Sequence, residues 1–392
     1  MKILFYSPHP TLYFEAPTGY GSHMRGMVKG FREEGHIVEI LVLGNKPIPE
    51  VSKTNSKSIK DFLKKITPKI LWRTIKEIQL LRFDKFAAQE LKHAIIVHQP
   101  DLVYERSAWM SNGSSKIIKS FGINHVVEIN APFEDEVKKF ENANSLLSFL
   151  GKRKLKNLLK SASLCLPITS SLKNHLIQSY QISTDNCLVV PNAIDLEEIQ
   201  FSDLRIKDIR ESLNIKNEPI IGFVGSIFPY HGVDRLIKAI GKLKNSNAFA
   251  LIVGDGYLIP ELKSLAFNLG IESRIHFTGS IPKKEIYDYI GAMDIVVLPN
   301  TEWYCSPVKL FEYGSMGKIV IAVNKPGVTD IMSDSDGELF ENTDSSFQIS
   351  LKKVLTNIDA SKTHALTFQN KIIENHSWRA NAKTILNKLN SK

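Results

Sequence analysis

Short apolar runs alternate with segments of helical periodicity along most of the chain. The runs are brief and rich in β-branched and aromatic residues, which is typical of buried strands. The predicted strands are residues 2–8, 36–42, 100–106, 122–132, 164–168, 187–190, 220–224, 248–253, 275–279, 294–299 and 318–323. Helical spacing fills most of the intervals between them. Repeated strand–helix–strand units predict parallel sheets with helices on both faces, which is an α/β fold.

The alternation is interrupted once, and the interruption divides the chain. Residues 196–218 are polar and charged and are the predicted linker. A chain of 392 residues is also long for a single hydrophobic core. We therefore predict an N-terminal domain over residues 1–195 and a C-terminal domain over residues 219–370.

Residues 306–317 form a predicted helix between two apolar strands. Ser306 is predicted to be its N-cap, Pro307 its first residue, and Gly317 its end. Lys309 in the first turn opposes the helix dipole, which is unfavourable in an isolated helix. A bound anion would reverse that effect, because helix N–H groups and an ammonium together form a phosphate site. The alternative is a solvated surface lysine.

Two features of the first half carry candidate chemistry. Gly19 and Gly21 lie between a strand and a helix, where a glycine-rich loop could cradle phosphate or merely connect the two. Glu128 and Asn130 share one face at the end of a strand, where ligands bind in open α/β sheets. Glu128 could act as an acid, a base or an acceptor for sugar hydroxyls, or be a surface carboxylate.

Composition narrows the class of protein. With 43% hydrophobic and 23% charged residues, it is typical of a soluble globular chain. The N-terminal apolar stretch is too short for a signal peptide, and no apolar run is long enough to span a membrane. The cysteines, Cys165, Cys187 and Cys305, have neither metal spacing nor a disulfide pattern, which favours a reducing cytoplasm.

The net charge of +9 calls for a partner or a structural reason. Residues 51–86 interleave Lys and Arg with apolar residues, and Pro68 is predicted to divide them into two helices. This basic amphipathic pair indicates an anionic membrane surface, or a helical layer with solvated lysines. A second basic run at 152–156 would add to a membrane footprint only on the same side. Nucleic acid is not predicted, because no recognised binding module is present.

Several short motifs, in this order and spacing, resemble the GT-B-fold glycosyltransferases of family 4. Residues 190–195 are close to the family's V-x-P-N-G-x-D, and Ser377 and Trp378 resemble its terminal signature. The other matching segments are 19–21, 35–36, 225–226, 232–234, 254–256, 277–279 and 306–317. The resemblance implies two Rossmann-like domains with parallel sheets facing across a cleft. It also implies that a C-terminal helix, residues 371–392, returns to the first domain.

The resemblance implies a retaining transfer of a sugar from a nucleotide-diphosphate donor, with no metal or other cofactor. The N-terminal turn of residues 306–317 would face the donor diphosphate beside Lys309, and Glu312 would bind the ribose. Gly19 and Gly21 would approach the donor phosphate. The remaining predicted donor contacts are Gly225, Ser226, Gly254, Asp255, Gly256, Ser306, Pro307, Val308 and Leu310. Asp334 and Asp336 form the nearest acidic cluster, but no metal site is predicted there.

The chain departs from the common family pattern at three positions. Ser226 and His231 stand where the family usually has Arg and Lys, and Tyr304 stands at the first Glu of E-x7-E. Glu302 lies two residues earlier. The departures resemble a branch with P-[WY]-H-G and S-P-[LV]-K-[LI]-[FY]-E-Y motifs, in which residues 104–106 and 128–132 also have counterparts. His231 and Glu128 join Lys309 as predicted catalytic residues, and His231 would need to be protonated or to donate an N–H.

The predicted acceptor is a hydroxyl of a lipid-linked or cell-envelope glycan, and the predicted location is cytoplasmic and peripheral at the inner membrane face. One alternative is a GT-B nucleotide-sugar epimerase, which would release free sugar without an acceptor. The other is a non-catalytic sugar-nucleotide-binding protein. The donor base, the sugar and the linkage are not predicted from the sequence.

Overall fold

The computed structural model describes residues 1–16, 18–44, 69–141, 146–243 and 246–391. The chain forms two compact units. The first unit is Met1–Pro191 with Trp378–Lys392, and the second is Asn192–Ser377. Each unit contains a parallel sheet with helices, so the α/β prediction is confirmed.

The first unit holds a five-stranded sheet in the order β2-β1-β3-β4-β5. Its strands are β1 (Lys2–Ser7), β2 (Ile37–Val42), β3 (Leu102–Arg106), β4 (Asn124–Ile129) and β5 (Leu164–Pro167). Its helices are α1 (Gly19–Glu33), α2 (Lys69–His98), α3 (Gly113–Phe121), α4 (Phe133–Glu141), α5 (Ser148–Ser161) and α6 (Ser170–Tyr180). Every strand pairing is parallel, so the carboxyl ends of β1, β3 and β4 lie at one edge.

The second unit holds a six-stranded parallel sheet in the order β11-β10-β9-β6-β7-β8. Its strands are β6 (Ile220–Val224), β7 (Phe249–Val253), β8 (Ile275–Phe277), β9 (Ile295–Leu298), β10 (Ile319–Val323) and β11 (Glu338–Phe340). Its helices are α7 (Asp203–Ser212), α8 (Val233–Lys242), α9 (Ile259–Asn268), α10 (Ile286–Ala292), α11 (Val308–Ser315), α12 (Pro326–Thr329), α13 (Asp344–Thr356) and α14 (Ile358–Asn375). The central strands β6, β9 and β10 are buried at every position, which matches their uninterrupted apolar runs.

The structure differs from the predicted linker. Residues 196–218 include α7, which packs against α10 inside the second unit. Asp288 on α10 accepts the N–H of Ser202 at 2.7 Å, and Arg210 donates to Asp294 at 3.1 Å. The polar composition of this stretch therefore reflects a surface helix tied down by ion pairs, and the second unit begins at Asn192.

The last helix, α15 (Trp378–Asn390), belongs to the first unit and packs on α1. Two glycines of α1 make the close approach possible. A Cβ at Gly26 would lie 2.3 Å from the Trp378 indole nitrogen, and one at Gly30 would lie 2.3 Å from the Trp378 carbonyl oxygen. The helix that the resemblance implied over 371–392 thus starts at Trp378, since residues 371–375 belong to α14.

The predicted basic helix pair lies partly outside the described residues, because 51–68 are among those not described. Residues 69–86 belong to α2, and its first turns depart from the expected division into an apolar buried face and a basic exposed face. Leu71, Ile75 and Ile78 are 46%, 44% and 40% exposed, whereas Arg73 and Glu77 are buried. Glu77 accepts hydrogen bonds from Arg73 at 3.3 Å and from the Trp109 indole at 3.0 Å, so a tertiary partner stabilises the polar pair in the interior.

Among the described residues, no helix is both long enough and apolar enough to cross a membrane.

Candidate functional site

Three loops at the carboxyl edge of the second sheet carry the predicted donor residues. They follow β6, β7 and β9, which are neighbours in the parallel sheet. Ligands bind at this edge in open α/β sheets. The parallel topology therefore brings residues 225–231, residues 254–256 and the start of α11 to one end of the unit.

The first two loops approach each other backbone to backbone. Gly225 and Gly254 have φ of +133° and +129°, which side-chain-bearing residues rarely adopt. A Cβ at Gly254 would lie 2.1 Å from the Gly225 carbonyl oxygen, and one at Gly256 would lie 2.2 Å from the Ile227 carbonyl oxygen. The N–H of Ile227 donates to the Asp255 carbonyl at 2.9 Å. Glycine is thus needed at these positions by contact as well as by conformation.

Lys309 extends from the first turn of α11 over the first glycine turn. Its ammonium lies 5.4 Å from the centre of the Phe223 ring and 3.4 Å from the His231 Nε2. A Cβ at residue 225 would lie 2.8 Å from the Lys309 Nζ, so Gly225 leaves room for this side chain. No described carboxylate forms an ion pair with Lys309. Burial lowers the pKa of Lys309, while the Glu312 charge opposes that shift. Lys309 is thus a half-buried cation for which the described residues provide no counter-ion.

His231 supports Lys309 and does not add a second charge. Its Nδ1 donates to the Ser226 carbonyl at 2.5 Å, which leaves the Nε2 lone pair facing Lys309. Burial and the Lys309 charge lower the pKa of His231 to about 3. The imidazole is therefore neutral near pH 7 and accepts from the lysine. In this arrangement His231 has neither the positive charge nor the spare N–H that it would need to stabilise the diphosphate directly.

The start of α11 differs from the predicted cap. The helix begins at Val308 with Pro307 as N-cap, and no side chain caps it. Ser306, predicted as the cap, instead accepts the N–H of Asn192 at 3.0 Å through its hydroxyl. Leu310 donates its own N–H to the Pro307 carbonyl at 3.1 Å, so its amide is engaged. The amides of Val308 and Lys309 remain for an anion at the positive end of the helix. Gly317, at φ +61°, ends the helix region as predicted.

Glu312 lies one turn beyond Lys309 on α11. Burial raises the pKa of its carboxyl group, and the charges of Lys309 and Lys283 oppose the shift. No described donor is hydrogen-bonded to this carboxylate. It is therefore an open acceptor near the cation, as binding of a ribose hydroxyl would require.

The loop before α11 places Tyr304 inside the protein. Tyr304 is 5% exposed and packs edge-on against Trp303, with 5.4 Å between the ring centres. Lys325 holds the same loop by donating to the Asn300 side chain and the Thr301 carbonyl, each at 2.7 Å. Glu302 is less buried than Tyr304.

Glu128 in the first unit is the centre of a buried hydrogen-bond network. One carboxylate oxygen accepts from Arg106 at 2.6 Å and Asn130 at 2.5 Å, and the other from His23 at 2.8 Å and the Tyr104 hydroxyl. Burial alone would raise the pKa of Glu128, but His23 and Arg106 lower it well below its usual range. Glu128 is only 2% exposed, so it is not a surface carboxylate. With two donors on each oxygen it stays ionised, and the geometry suits holding His23 and Asn130 in place better than proton transfer.

The structure places Gly19 and Gly21 in a helix and not in the predicted loop. Both are in the first turn of α1, and neither has a positive φ. A Cβ at Gly21 would lie 2.1 Å from the Ala16 carbonyl oxygen, whereas nothing lies within 4 Å of one at Gly19. The need for glycine at 21 is thus a close backbone contact within the first unit. Their predicted approach to the donor remains a prediction.

Comparison with known families covers both units. The family described as Glycosyltransferase Family 4 matches residues 17–198, and that described as Glycosyl transferases group 1 matches residues 205–371. The chain belongs to glycosyltransferase family 4. The fold class predicted from the motifs, GT-B, is likewise confirmed.

Individual relatives of this family 4 protein are distant. An uncharacterized glycosyltransferase of Methanocaldococcus jannaschii, MJ1069, is 24% identical over 62% of each chain. An N-acetylgalactosamine-N,N'-diacetylbacillosaminyl-diphospho-undecaprenol 4-alpha-N-acetylgalactosaminyltransferase of Campylobacter jejuni is 26% identical over 52% of this chain and 54% of its own. These matches span less than two thirds of each relative. The crystal structure of Anabaena HepE with UDP covers all of both chains at a TM-score of 0.74 and 18% identity, which shows the shared fold.

Some residues that shape the site had no role in the sequence analysis. The Tyr313 hydroxyl accepts the N–H of Val224 at 2.9 Å and fixes α11 to the end of β6. Lys325 and His23 likewise act through partners distant in sequence. Tyr313 lies inside the motif of residues 306–317, so the burial of its phenol could have been predicted. No hydrophobic periodicity indicates the roles of Lys325 and His23.

Proposed function

We propose that this family 4 protein transfers a sugar, with retention of anomeric configuration and without a metal, from a nucleoside diphosphate sugar to a hydroxyl acceptor. The observation that carries the proposal is the Lys309 ammonium, which has no counter-ion among the described residues and lies at the start of α11, where no side chain caps the helix. The leaving group of such a transfer is a diphosphate that gains negative charge as the glycosidic bond breaks. Fixed positive charge at that place lowers the barrier.

The roles of the other residues follow from their contacts. Val308 and Lys309 would donate backbone N–H groups to the diphosphate, and the glycine turns at 225 and 254 would let it approach the backbone. His231 accepts from the Lys309 ammonium and limits its rotamers, which makes it a positioning residue. Glu312 would accept from the ribose, as an open carboxylate beside the cation.

Nucleotide binding and product analysis test the proposal together. The full chain is expected to be stabilised against heat by one nucleoside diphosphate in a panel of UDP, GDP and ADP, because ligands that bind only the folded state raise its stability. UDP is the first candidate, since the similar HepE structure holds it. With the matching sugar nucleotide, proton NMR of the first product is expected to show the donor's anomeric configuration. The opposite anomer would contradict retention, and an epimerised free sugar formed without acceptor would contradict transfer.

For the acceptor we propose a glycan on a lipid carrier, reached at an anionic membrane surface. The Campylobacter relative is named for a diphospho-undecaprenol-linked acceptor. In this chain, the exposed aliphatic stripe of α2, formed by Leu71, Ile75 and Ile78, is flanked by exposed Lys69 and Arg82. Apolar side chains bordered by basic ones suit the headgroup region of an anionic bilayer.

The double variant Ile75→Asp/Ile78→Asp is expected to bind anionic vesicles about tenfold more weakly, because it places carboxylates against anionic lipid. Flotation with phosphatidylglycerol-containing vesicles measures this. Ile96→Asp/Val97→Asp is the matched control, since both residues are exposed on the same helix at its other end. Equal flotation of both variants would contradict a membrane role for the stripe.

A further inference from the structure

A pocket of about 350 Å³ lies in the first unit, apart from the donor residues of the second. It is bounded by α4, α5 and α6, and Pro132, two residues after Asn130, is part of its wall. Its volume is in the range of pockets that hold small organic ligands. The basic run 152–156, which the donor site leaves without a role, supplies one side of it.

The basic wall carries two cations that no described acid neutralises. Arg153 is exposed and has no described acceptor, and Lys156 donates only to the neutral amide oxygen of Gln181 at 3.0 Å. Lys152 differs, because it pairs with Glu134 at 2.8 Å. A guanidinium and an ammonium close together are well suited to a phosphate group.

The opposite wall is acidic and offers acceptors for hydroxyl groups. Asp135 is exposed and has no described side-chain donor. Burial and the charges of Glu134 and Asp135 raise the pKa of Tyr180 to about 12, so the phenol keeps its proton and can donate. A simple anion would be repelled by the carboxylates, and a neutral sugar would leave the cations unused. A ligand with both a phosphate and several hydroxyls satisfies both walls.

We propose that this pocket binds a phosphate-bearing sugar portion of the acceptor, with its phosphate on Arg153 and Lys156 and its hydroxyls on Asp135. The inference rests on the proposed function and deepens it by naming the acceptor class. A sugar joined to a carrier through phosphate has this chemistry, whereas an unphosphorylated glycan does not. The phosphate of a lipid headgroup shares part of it, and the experiment separates the two sources.

Glucose 1-phosphate is the probe, measured by isothermal titration calorimetry with the full chain. The Lys309→Ala background removes competition from the donor site. Adding Arg153→Ala/Lys156→Ala is expected to weaken binding about tenfold or more, because both charge-assisted contacts are lost. The matched control adds Lys116→Ala/Lys160→Ala, two exposed lysines outside the pocket, and is expected to stay within about twofold of the background.

Two further arms identify the ligand class. Asp135→Asn is expected to weaken glucose 1-phosphate binding about threefold and to leave inorganic phosphate binding unchanged or stronger, because it alters only the hydroxyl acceptor. Equal glucose 1-phosphate affinity with and without Arg153 and Lys156 would overturn the proposal. The proposal would also be overturned if the pocket variants lost flotation with phosphatidylglycerol vesicles while no form of the protein bound glucose 1-phosphate. Nucleoside diphosphate stabilisation is read separately, so failure here is distinguishable from failure of the proposed function.

Discussion

Replacing Lys309 with alanine is expected to reduce kcat/KM by about 100- to 1,000-fold, the scale seen when one preorganised charge-stabilising group is removed. The ammonium has no counter-ion among the described residues and lies 3.4 Å from a neutral imidazole. No described residue therefore neutralises its charge in the free protein, and the charge is available to stabilise the departing diphosphate. The measurement is steady-state transfer or donor hydrolysis with the sugar nucleotide identified by thermal shift.

The control for this prediction is Lys352→Ala, which removes an exposed lysine of α13 and should leave turnover unchanged. Glu312→Ala is expected to raise the donor KM about tenfold with a smaller change in kcat, because it removes a hydrogen bond to a charged acceptor in ground and transition states alike. If Lys309→Ala and Glu312→Ala both kept full turnover, the donor site would have to be placed elsewhere.

Glu128→Ala is expected to destabilise the first unit by about 3–5 kcal/mol, because it leaves Arg106 and His23 without their buried carboxylate. Glu128→Gln keeps the shape and one acceptor oxygen, so its loss should be smaller. Urea unfolding followed by the fluorescence of the tryptophans measures both. Glu39→Ala, which removes a solvent-exposed carboxylate 4.0 Å from His98, is the control and should cost less than about 1 kcal/mol.

The same carboxylate predicts a pH dependence with a defined sign. Its pKa in the folded protein lies below the unfolded value of about 4.3, so the folded state binds this proton less readily. The stability it contributes is complete above that unfolded value and is lost as the pH falls below it. Wild type should therefore lose stability between pH 5 and pH 3 more steeply than Glu128→Gln. Parallel curves would show that the network does not depend on the ionised form.

The hydrophobic pattern predicted the strands of both sheets because a short apolar run is buried in the folded protein whichever elements pack against it. It also led to the predicted donor site, since Lys309 is unfavourable in its own helix and a bound anion would reverse that effect. The prediction that Ser306 caps α11 was wrong because its hydroxyl accepts the N–H of Asn192, which is distant in sequence. Capping rules consider only the backbone groups next to a side chain in sequence, so they do not predict such a partner.

Distant partners also explain two other differences from the prediction, which are the buried polar residues at the start of α2 and the environment of Glu128. Arg73 and Glu77 lie inside, where Glu77 accepts hydrogen bonds from Arg73 and from the Trp109 indole, and the helical spacing of residues 51–86 does not reveal that partner. Glu128 was placed correctly at the end of its strand. Three of its four donors come from two other segments, α1 and β3, and the fourth is the near neighbour Asn130, so neither its burial nor its ionised state follows from the strand pattern.

The contact of Trp378 with Gly26 and Gly30 has a consequence for biosynthesis. The Trp378 ring, which packs on α1 and lies edge-on against His23 at 4.7 Å, is encoded after the whole of the second unit. Chains are synthesised from the N-terminus, and domains generally fold as they emerge. The second unit is complete in the nascent chain before Trp378 is made. The unit that is translated first can therefore complete its packing only after the second unit has been synthesised.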